Sequence, residues 1–179
     1  MTLLAEVIDC LEHAVSPHAM IGATAMATLG ATRSTQDLDI LTTDRTVLKS
    51  TFWKRLEACG AAVEIRSGDI KDPLVGIVRV TRRDDRPVDV IVGEGTWQER
   101  IIDDASIRRI ADVQVPVVDE TGLVLLKLYA GGPQDRWDIE QLLALAVDRE
   151  KFKAEIDTRL SALPKRCRHL WSRISTPDD

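Results

Sequence analysis

The sequence predicts an α/β (α+β) fold, in which a mixed β-sheet carries helices mainly on one face and further helices follow towards the C-terminus. Three observations lead to this prediction. Short runs rich in β-branched residues, such as 87–92, alternate with segments of helical periodicity, such as 2–15. The runs 75–81 and 87–92 are separated by RRDDRP, a composition typical of a hairpin turn. From residue 119 onward only helical periodicity remains.

The elements follow from local signals. Leu3, Val7 and Leu11 recur at helical spacing in the first helix, Asp44 is a candidate N-cap, and Thr96 with Glu99 matches a capping box. Helices are predicted over 2–15, 23–29, 46–59, 97–104, from the cap Asp119 to Tyr129, 134–147 and 150–162. Strands are predicted over 17–21, 37–42, 62–66, 75–81, 87–92 and 113–118.

Length and composition favour one domain. A chain of 179 residues, 44% hydrophobic and 30% charged, can bury a core of its own. We therefore expect a single domain over 1–179, with a core at 16–146 and a helical extension at 147–174. No apolar run approaches the roughly 18 residues of a membrane span. Three widely separated cysteines without metal-ligand spacing favour a reducing, cytoplasmic setting.

The net charge of −5 argues against a general affinity for long nucleic acids, because such proteins are usually basic. Two local basic clusters stand out against this background. They are Arg79, Arg82, Arg83 and Arg86, and then Lys165, Arg166, Arg168, His169 and Arg173. Solvated surface charge is the simpler interpretation of both.

Two carboxylates dominate the predicted strand 37–42. Asp37 and Asp39 share one face, roughly 6.5–7 Å apart along the backbone, and Leu38 takes the other. Adjacent carboxylates disfavour each other's ionisation, and a divalent cation between them removes that conflict. Oxygen ligands of this kind suit Mg²⁺ or Mn²⁺. The alternative is a pair of acids that simply face water.

A third acid, Asp89, lies on the predicted strand 87–92, opposite the face of Val88 and Val90. If this strand lies beside that of Asp37 and Asp39, three carboxylates converge. Such a cluster facing a glycine turn at Gly22 is a metal site suited to phosphoryl-type transfer.

Together these motifs resemble the nucleotidyltransferase superfold of DNA polymerase β and the minimal nucleotidyltransferases. More narrowly, they are similar to the AbiEii-type toxins and related short bacterial nucleotidyltransferase-like proteins. The first matching block is Gly22, Ala23, Arg33, Ser34, Thr35, Asp37 and Asp39. The second block is Lys127, Leu128, Ala130, Asp135, Asp138 and Ile139. The resemblance spans about residues 16 to 146.

The resemblance implies transfer of a nucleoside monophosphate from an NTP to an acceptor hydroxyl, on a tRNA or a protein. It implies Mg²⁺ or Mn²⁺ at Asp37, Asp39 and Asp89, and a catalytic contribution from Lys127 and Asp135. It further implies nucleotide contacts from Gly22, Ala23, Arg33, Ser34 and Thr35, and a toxin–antitoxin pair in which the chain meets an antitoxin partner.

A second hypothesis is a binding module that keeps the fold without efficient transfer. It is motivated by Ala23, where the family usually has Gly or Ser, and by Gln134, where it usually has Lys. Individual residues also have simpler interpretations. Lys127 can snorkel from an apolar helix, and Asp135 can stabilise a helix N-terminus.

Overall fold

The computed structural model describes residues 1–31, 35–68 and 75–176. They divide into two compact units. The first comprises the described residues of Met1–Ala25 and Arg33–Val118, and the second those of Met26–Thr32 and Asp119–Asp179.

The α-helices are α1 Leu3–His13, α2 Gly22–Thr28, α3 Lys54–Ala58, α4 Thr96–Asp103, α5 Glu120–Ala130, α6 Pro133–Leu145, α7 Arg149–Arg159 and α8 Lys165–Ser175. The strands are β1 His18–Ile21, β2 Leu38–Thr42, β3 Ala62–Ser67, β4 Gly76–Thr81, β5 Val88–Val92, β6 Ser106–Ile110 and β7 Val113–Val117. Short 3₁₀ helices add Arg45–Leu48, Ser50–Trp53 and Leu160–Ala162.

The first unit is built on a seven-stranded mixed sheet in the order β3-β4-β5-β2-β1-β7-β6. The central strand β2 pairs antiparallel with β1 and parallel with β5, and β1 pairs parallel with β7. β5 pairs antiparallel with β4 across the hairpin turn. Two strands distant in sequence, β2 and β5, are thereby neighbours, which places their side chains in common rows.

Alternation along β4 and β5 separates the core face from the opposite face. Val78, Val80, Val88 and Val90 are fully buried, whereas the residues between them are partly exposed. This is the pattern expected of strands with one buried face. The polar face is therefore fixed by the packing of the valines.

The predicted helix 46–59 is wrong in part, since the structure has two 3₁₀ helices and only the short helix α3 there. Thr46, Val47, Ser50 and Thr51 are weak helix formers, which explains the interruption. The buried indole of Trp53 donates to the carbonyl oxygen of Val47 (2.7 Å). Asp44 still caps as predicted, accepting from the backbone N–H of Thr46 at 2.8 Å.

Two further differences concern exposed segments. The strand β6 was not predicted, because all but one of its residues are exposed and it lacks the alternation that marks a strand. At α4 the predicted capping box of Thr96 and Glu99 is absent. The side chain of Gln98 instead accepts from the backbone N–H groups of Glu94 and Gly95.

The second unit is helical, as predicted for the C-terminal part. Asp119 caps α5 by accepting from the backbone N–H of Gly122 at 2.6 Å. α5 ends at Gly131, whose left-handed backbone (φ +71°) a glycine adopts without strain. The helix α8 ends one residue beyond the predicted extension and buries Cys167, Trp171 and Ile174.

The predicted fold class is confirmed, with a mixed sheet followed by C-terminal helices. No helix within the described ranges is both long and apolar enough to span a membrane. Cys10, Cys59 and Cys167 are all free thiols. The predicted single domain with a core at 16–146 stays a prediction.

Candidate functional site

A row of charged side chains crosses the middle of the sheet in the first unit. Asp39 of β2 is in register with Asp89 of β5, and Asp89 is in register with Arg79 of β4. Residues paired across neighbouring strands point to the same face of a sheet. The carboxylates of Asp39 and Asp89 therefore lie side by side on the polar face, as their sequence pattern predicted. We call this pair of carboxylates the acidic row.

Asp37 lies in the bend before β2 and not in the strand itself. The hydroxyl of Thr35 donates to the carbonyl oxygen of Asp37 and accepts from its N–H. Arg86 donates from its Nη2 to the carbonyl oxygens of Thr35 (3.3 Å) and Asp37 (3.1 Å). These contacts hold the bend at the edge of the acidic row.

Arg79 connects Asp37 to the row. Its Nη2 lies 2.9 Å from Oδ1 of Asp37, and its Nη1 lies 3.1 Å from Oδ2 of Asp89. One guanidinium therefore bridges two carboxylates through two different nitrogens. This geometry uses the planar fork that distinguishes arginine from lysine.

The carboxyl of Asp89 is partly buried beside two charged side chains. Burial raises the pKa of its carboxyl above the ordinary value, the charge of Arg79 lowers it, and that of Asp37 raises it. Among the described residues no hydrogen-bond partner reaches its buried Oδ1 atom. A buried carboxylate oxygen without a partner is costly, and its position suits a cation or a donor from a bound ligand.

Gly22 begins α2 directly beside the acidic row. Its backbone is left-handed (φ +66°), and a Cβ atom added there would lie 2.1 Å from Oδ2 of Asp39. Any other residue would therefore displace the carboxylate. The glycine of the sequence motif is explained by this close approach together with its backbone conformation.

These residues fit a divalent cation in part. The donors are carboxylate oxygens, the ligands that Mg²⁺ and Mn²⁺ prefer, and Oδ1 of Asp89 needs a partner. Within the described ranges, however, no three His, Cys, Asp or Glu side chains are close enough to hold one ion as they stand. Arg79 lies between two of the three predicted ligands. The metal-ligand assignment stays a prediction.

Gly22→Ala should abolish Mn²⁺ binding at the acidic row in addition to lowering the stability of the fold. A left-handed backbone at a non-glycine residue costs about 1–2 kcal/mol, and the new Cβ must also push Asp39 aside. Gly60→Ala is the matched control, because Gly60 also has a positive φ (+85°) but has open space around it. In urea we expect Gly22→Ala to lose more unfolding free energy than Gly60→Ala, because only its new Cβ displaces Asp39, and we expect loss of Mn²⁺ binding in Gly22→Ala alone. Equal Mn²⁺ affinity in the two variants would contradict this role of Gly22.

The second predicted block lies in the second unit, where the partly buried Lys127 contacts two carboxylates. Its Nζ lies 2.6 Å from Oδ2 of Asp138 and 3.1 Å from Oδ1 of Asp135. Asp138 is fully buried, and Gln134 donates to its Oδ1 at 3.3 Å. Asp135 also accepts from the backbone N–H of Gly132, as an acid in the first turn of a helix does. Lys127 is therefore an ion-pair partner and does not snorkel to solvent.

The structure brings together four of the predicted site residues, namely Gly22, Asp37, Asp39 and Asp89, in the first unit. Ala23 is buried and presents no polar side-chain atom. Thr35 shapes the bend at Asp37. Arg33 and Ser34 lie outside the described residues. The predicted roles of all these residues, and those of Lys127 and Asp135, stay predictions.

Sequence reasoning missed Arg79 and Arg86, which it grouped with solvated surface charge. A signal for Arg79 was present in the sequence. A hairpin centred on Asp84 pairs residue 80 with 88 and residue 79 with 89, so the arginine must face the acid. The contact of Arg86 with the Asp37 bend depends on the pairing of two strands distant in sequence, and no local pattern indicates it.

No protein family model matches the sequence, and no curated protein matches it. Solved structures do match. An antigenic nucleotidyltransferase-like protein from Paracoccidioides brasiliensis superposes with a TM-score of 0.53 at 19% identity, covering 96% of this chain and 90% of that one. The antibiotic-resistance factor ANT(2'')-Ia superposes with a TM-score of 0.55 at 14% identity, covering 93% and 96% respectively. At these identities the likeness establishes the fold, and the predicted nucleotidyltransferase fold is confirmed.

Proposed function

We propose that the chain is a metal-dependent nucleotidyltransferase that moves a nucleoside monophosphate from an NTP to an acceptor hydroxyl. The observation that carries the proposal is the row of Asp39 and Asp89 on adjacent strands, with Gly22 packed against Asp39 so closely that no side chain fits between them. Confirmation of the fold supports it further. Fold alone does not fix function, so the proposal rests on the site.

In this reaction the acceptor oxygen forms a bond to the α-phosphorus, the bond from that phosphorus to the bridging oxygen breaks, and pyrophosphate leaves. Asp39 and Asp89, with Asp37, would hold Mg²⁺ or Mn²⁺, which when bound neutralises charge on the phosphate oxygens. The hydroxyl proton goes to a carboxylate of the cluster.

The acceptor and the partner are finer parts of the same proposal. The sequence motifs, which resemble those of AbiEii-type toxins, support a tRNA or a protein acceptor and an antitoxin partner. The three widely separated cysteines without metal-ligand spacing support a cytoplasmic setting. The helix α8 favours tRNA, since it holds five basic residues and no acid. All five are exposed, and they are Lys165, Arg166, Arg168, His169 and Arg173. Clustered cations of this kind bind phosphate backbones.

Incubation with labelled NTP and Mg²⁺ or Mn²⁺ tests the proposal. We expect label to appear on an acceptor only when the divalent cation is present, with total tRNA, the chain itself and a mixture of antibiotics offered separately. The antibiotics are included because one structural neighbour is an antibiotic-resistance factor. Transfer to none of them, combined with an unchanged melting temperature in NTP and Mg²⁺, would favour the binding-module hypothesis, because a ligand of the native state must raise that temperature.

A further inference from the structure

Arg79 lies in line with Asp89 and Asp39 across three neighbouring strands, which distinguishes it from an arginine that only faces solvent. Valines on either side of it in β4 are fully buried, so its own side chain must lie on the polar face. Its register partner on β5 is Asp89, which is in turn in register with Asp39. The backbone pairing therefore places the Cβ of Arg79 in the same row as the two carboxylates, and the side-chain conformation brings its guanidinium to them.

The guanidinium engages one oxygen of each of two carboxylates that the proposed function assigns to a metal. Oδ1 of Asp37 and Oδ2 of Asp89 both accept from it, at 2.9 and 3.1 Å. Two other arginines lie nearby: Arg66 on β3 pairs with Glu64, and Arg86 donates to the backbone carbonyl of Asp37 and not to its carboxylate. Arg79 is thus the cation that the described residues supply directly to this pair of acids.

We propose that Arg79 is a built-in counter-ion of the acidic row, which holds Asp37 against Asp89 in the metal-free protein and which a divalent cation must displace on binding. This inference rests on the proposed function, because it takes Asp37 and Asp89 as metal ligands. It adds a residue outside the matching sequence motifs. It also makes Arg79 a positioning residue, since it acts through the carboxylates and not on the substrate.

A divalent cation and the guanidinium of Arg79 compete for the same carboxylate oxygen atoms. A cation that takes Oδ1 of Asp37 or Oδ2 of Asp89 approaches an atom already bonded to a guanidinium nitrogen, and like charges repel at that distance. Breaking the two contacts lowers the apparent metal affinity by whatever free energy they contribute. Because 40% of the Arg79 side chain is exposed, solvent screens part of that contribution. Net charge-assisted bonds of this kind correspond to about a tenfold change in affinity.

Arg79 also accounts for the stability of the cluster without metal. Three carboxylates on one face repel each other, and a single guanidinium shared by two of them offsets that repulsion. The protein can therefore fold with its acids in place before any cation arrives. Removal of Arg79 should lower the stability of the metal-free protein and at the same time tighten the binding of the metal. An arginine with a purely structural role would not produce these two opposite effects.

Titration with Mn²⁺ alone, followed by calorimetry and by the paramagnetic resonance of free Mn²⁺, tests the inference without any turnover. Arg79→Gln should bind Mn²⁺ about tenfold more tightly than the wild type. Arg83→Gln is the matched control, because it makes the same charge change on an arginine of the same hairpin whose side chain is 93% exposed. Its Mn²⁺ affinity should equal that of the wild type. Arg79→Lys keeps the charge without the fork and should fall between the two.

The outcomes separate the inference from the proposed function. If the wild type binds Mn²⁺ and Arg79→Gln binds it equally or more weakly, the counter-ion role is overturned and the metal site stands. If neither the wild type nor the variant binds Mn²⁺, both the inference and the metal-dependent function fall. If Arg79→Gln does not fold, Arg79→Lys decides, and an affinity no tighter than that of the wild type overturns the inference.

Discussion

Asp39→Asn is expected to reduce nucleotidyl transfer by at least about a hundredfold while leaving the fold intact. The change removes one negative charge from the acidic row and keeps the shape of the side chain. Even residues that only orient a metal ligand change metal affinity or activity by about 10–100-fold, so the loss of a proposed ligand should be at least as large. The measurement is the initial rate of label transfer from NTP at saturating Mg²⁺.

The control for Asp39→Asn is the same substitution at Asp9. That carboxylate forms an exposed ion pair with Arg55 at 2.8 Å in the same unit, and such pairs contribute little to stability. Asp9→Asn should therefore transfer label at the wild-type rate. Equal rates in Asp39→Asn and Asp9→Asn would rule out the proposed site, provided that both variants unfold in urea at the wild-type midpoint.

The sequence predicted most of the acidic row because β-strand periodicity is short and strict. A two-residue period fixes the face of every side chain once the buried valines of β5 are recognised, which is why Asp89 could be assigned to the polar face. Its pairing with Asp39 was a conditional prediction, since β2 and β5 are joined in space by long-range topology. The resemblance of the motifs supplied that topology, and periodicity alone did not.

Local patterns failed where tertiary contacts override them. The segment after Asp44 has apolar residues near helical spacing, but the backbone carbonyl of Val47 is taken by the indole of Trp53 and the helix breaks into short turns. The exposed strand β6 forms only because β7 pairs with it across a tight turn at Ala111, where φ is +52°. In both cases the deciding partner lies outside the pattern that a sequence window reads.

The same limit applies to the ion pairs of Lys127. From sequence it was a lysine on an apolar helix, free to snorkel or to bind phosphate. Its partners Asp135 and Asp138 lie on the next helix, beyond the break at Gly131 and Gly132. Whether α6 folds back onto α5 after this break depends on tertiary packing, which the local sequence does not indicate. The fully buried position of Asp138 turns this contact into a structural requirement.

Lys127→Met is therefore expected to lower the free energy of unfolding by about 3 kcal/mol or more. The methionine keeps the apolar stem but leaves Asp138 buried and without its cation, and loss of one partner of a buried pair costs about 3–5 kcal/mol. Snorkelling would have predicted almost no change. The measurement is urea unfolding monitored by circular dichroism at neutral pH.

Arg136→Met provides the matched control, because it removes a cation from an exposed pair with Glu140 on the same helix and should cost less than about 1 kcal/mol.

Asp138→Leu added to Lys127→Met should restore part of the lost stability, since removing both charges of a buried pair is often nearly neutral. Equal stability of Lys127→Met and Arg136→Met would contradict the structural role. If the double variant folds well yet has lost NTP affinity measured by calorimetry, Lys127 also contacts phosphate. If NTP affinity is unchanged, the lysine belongs to the helical core alone.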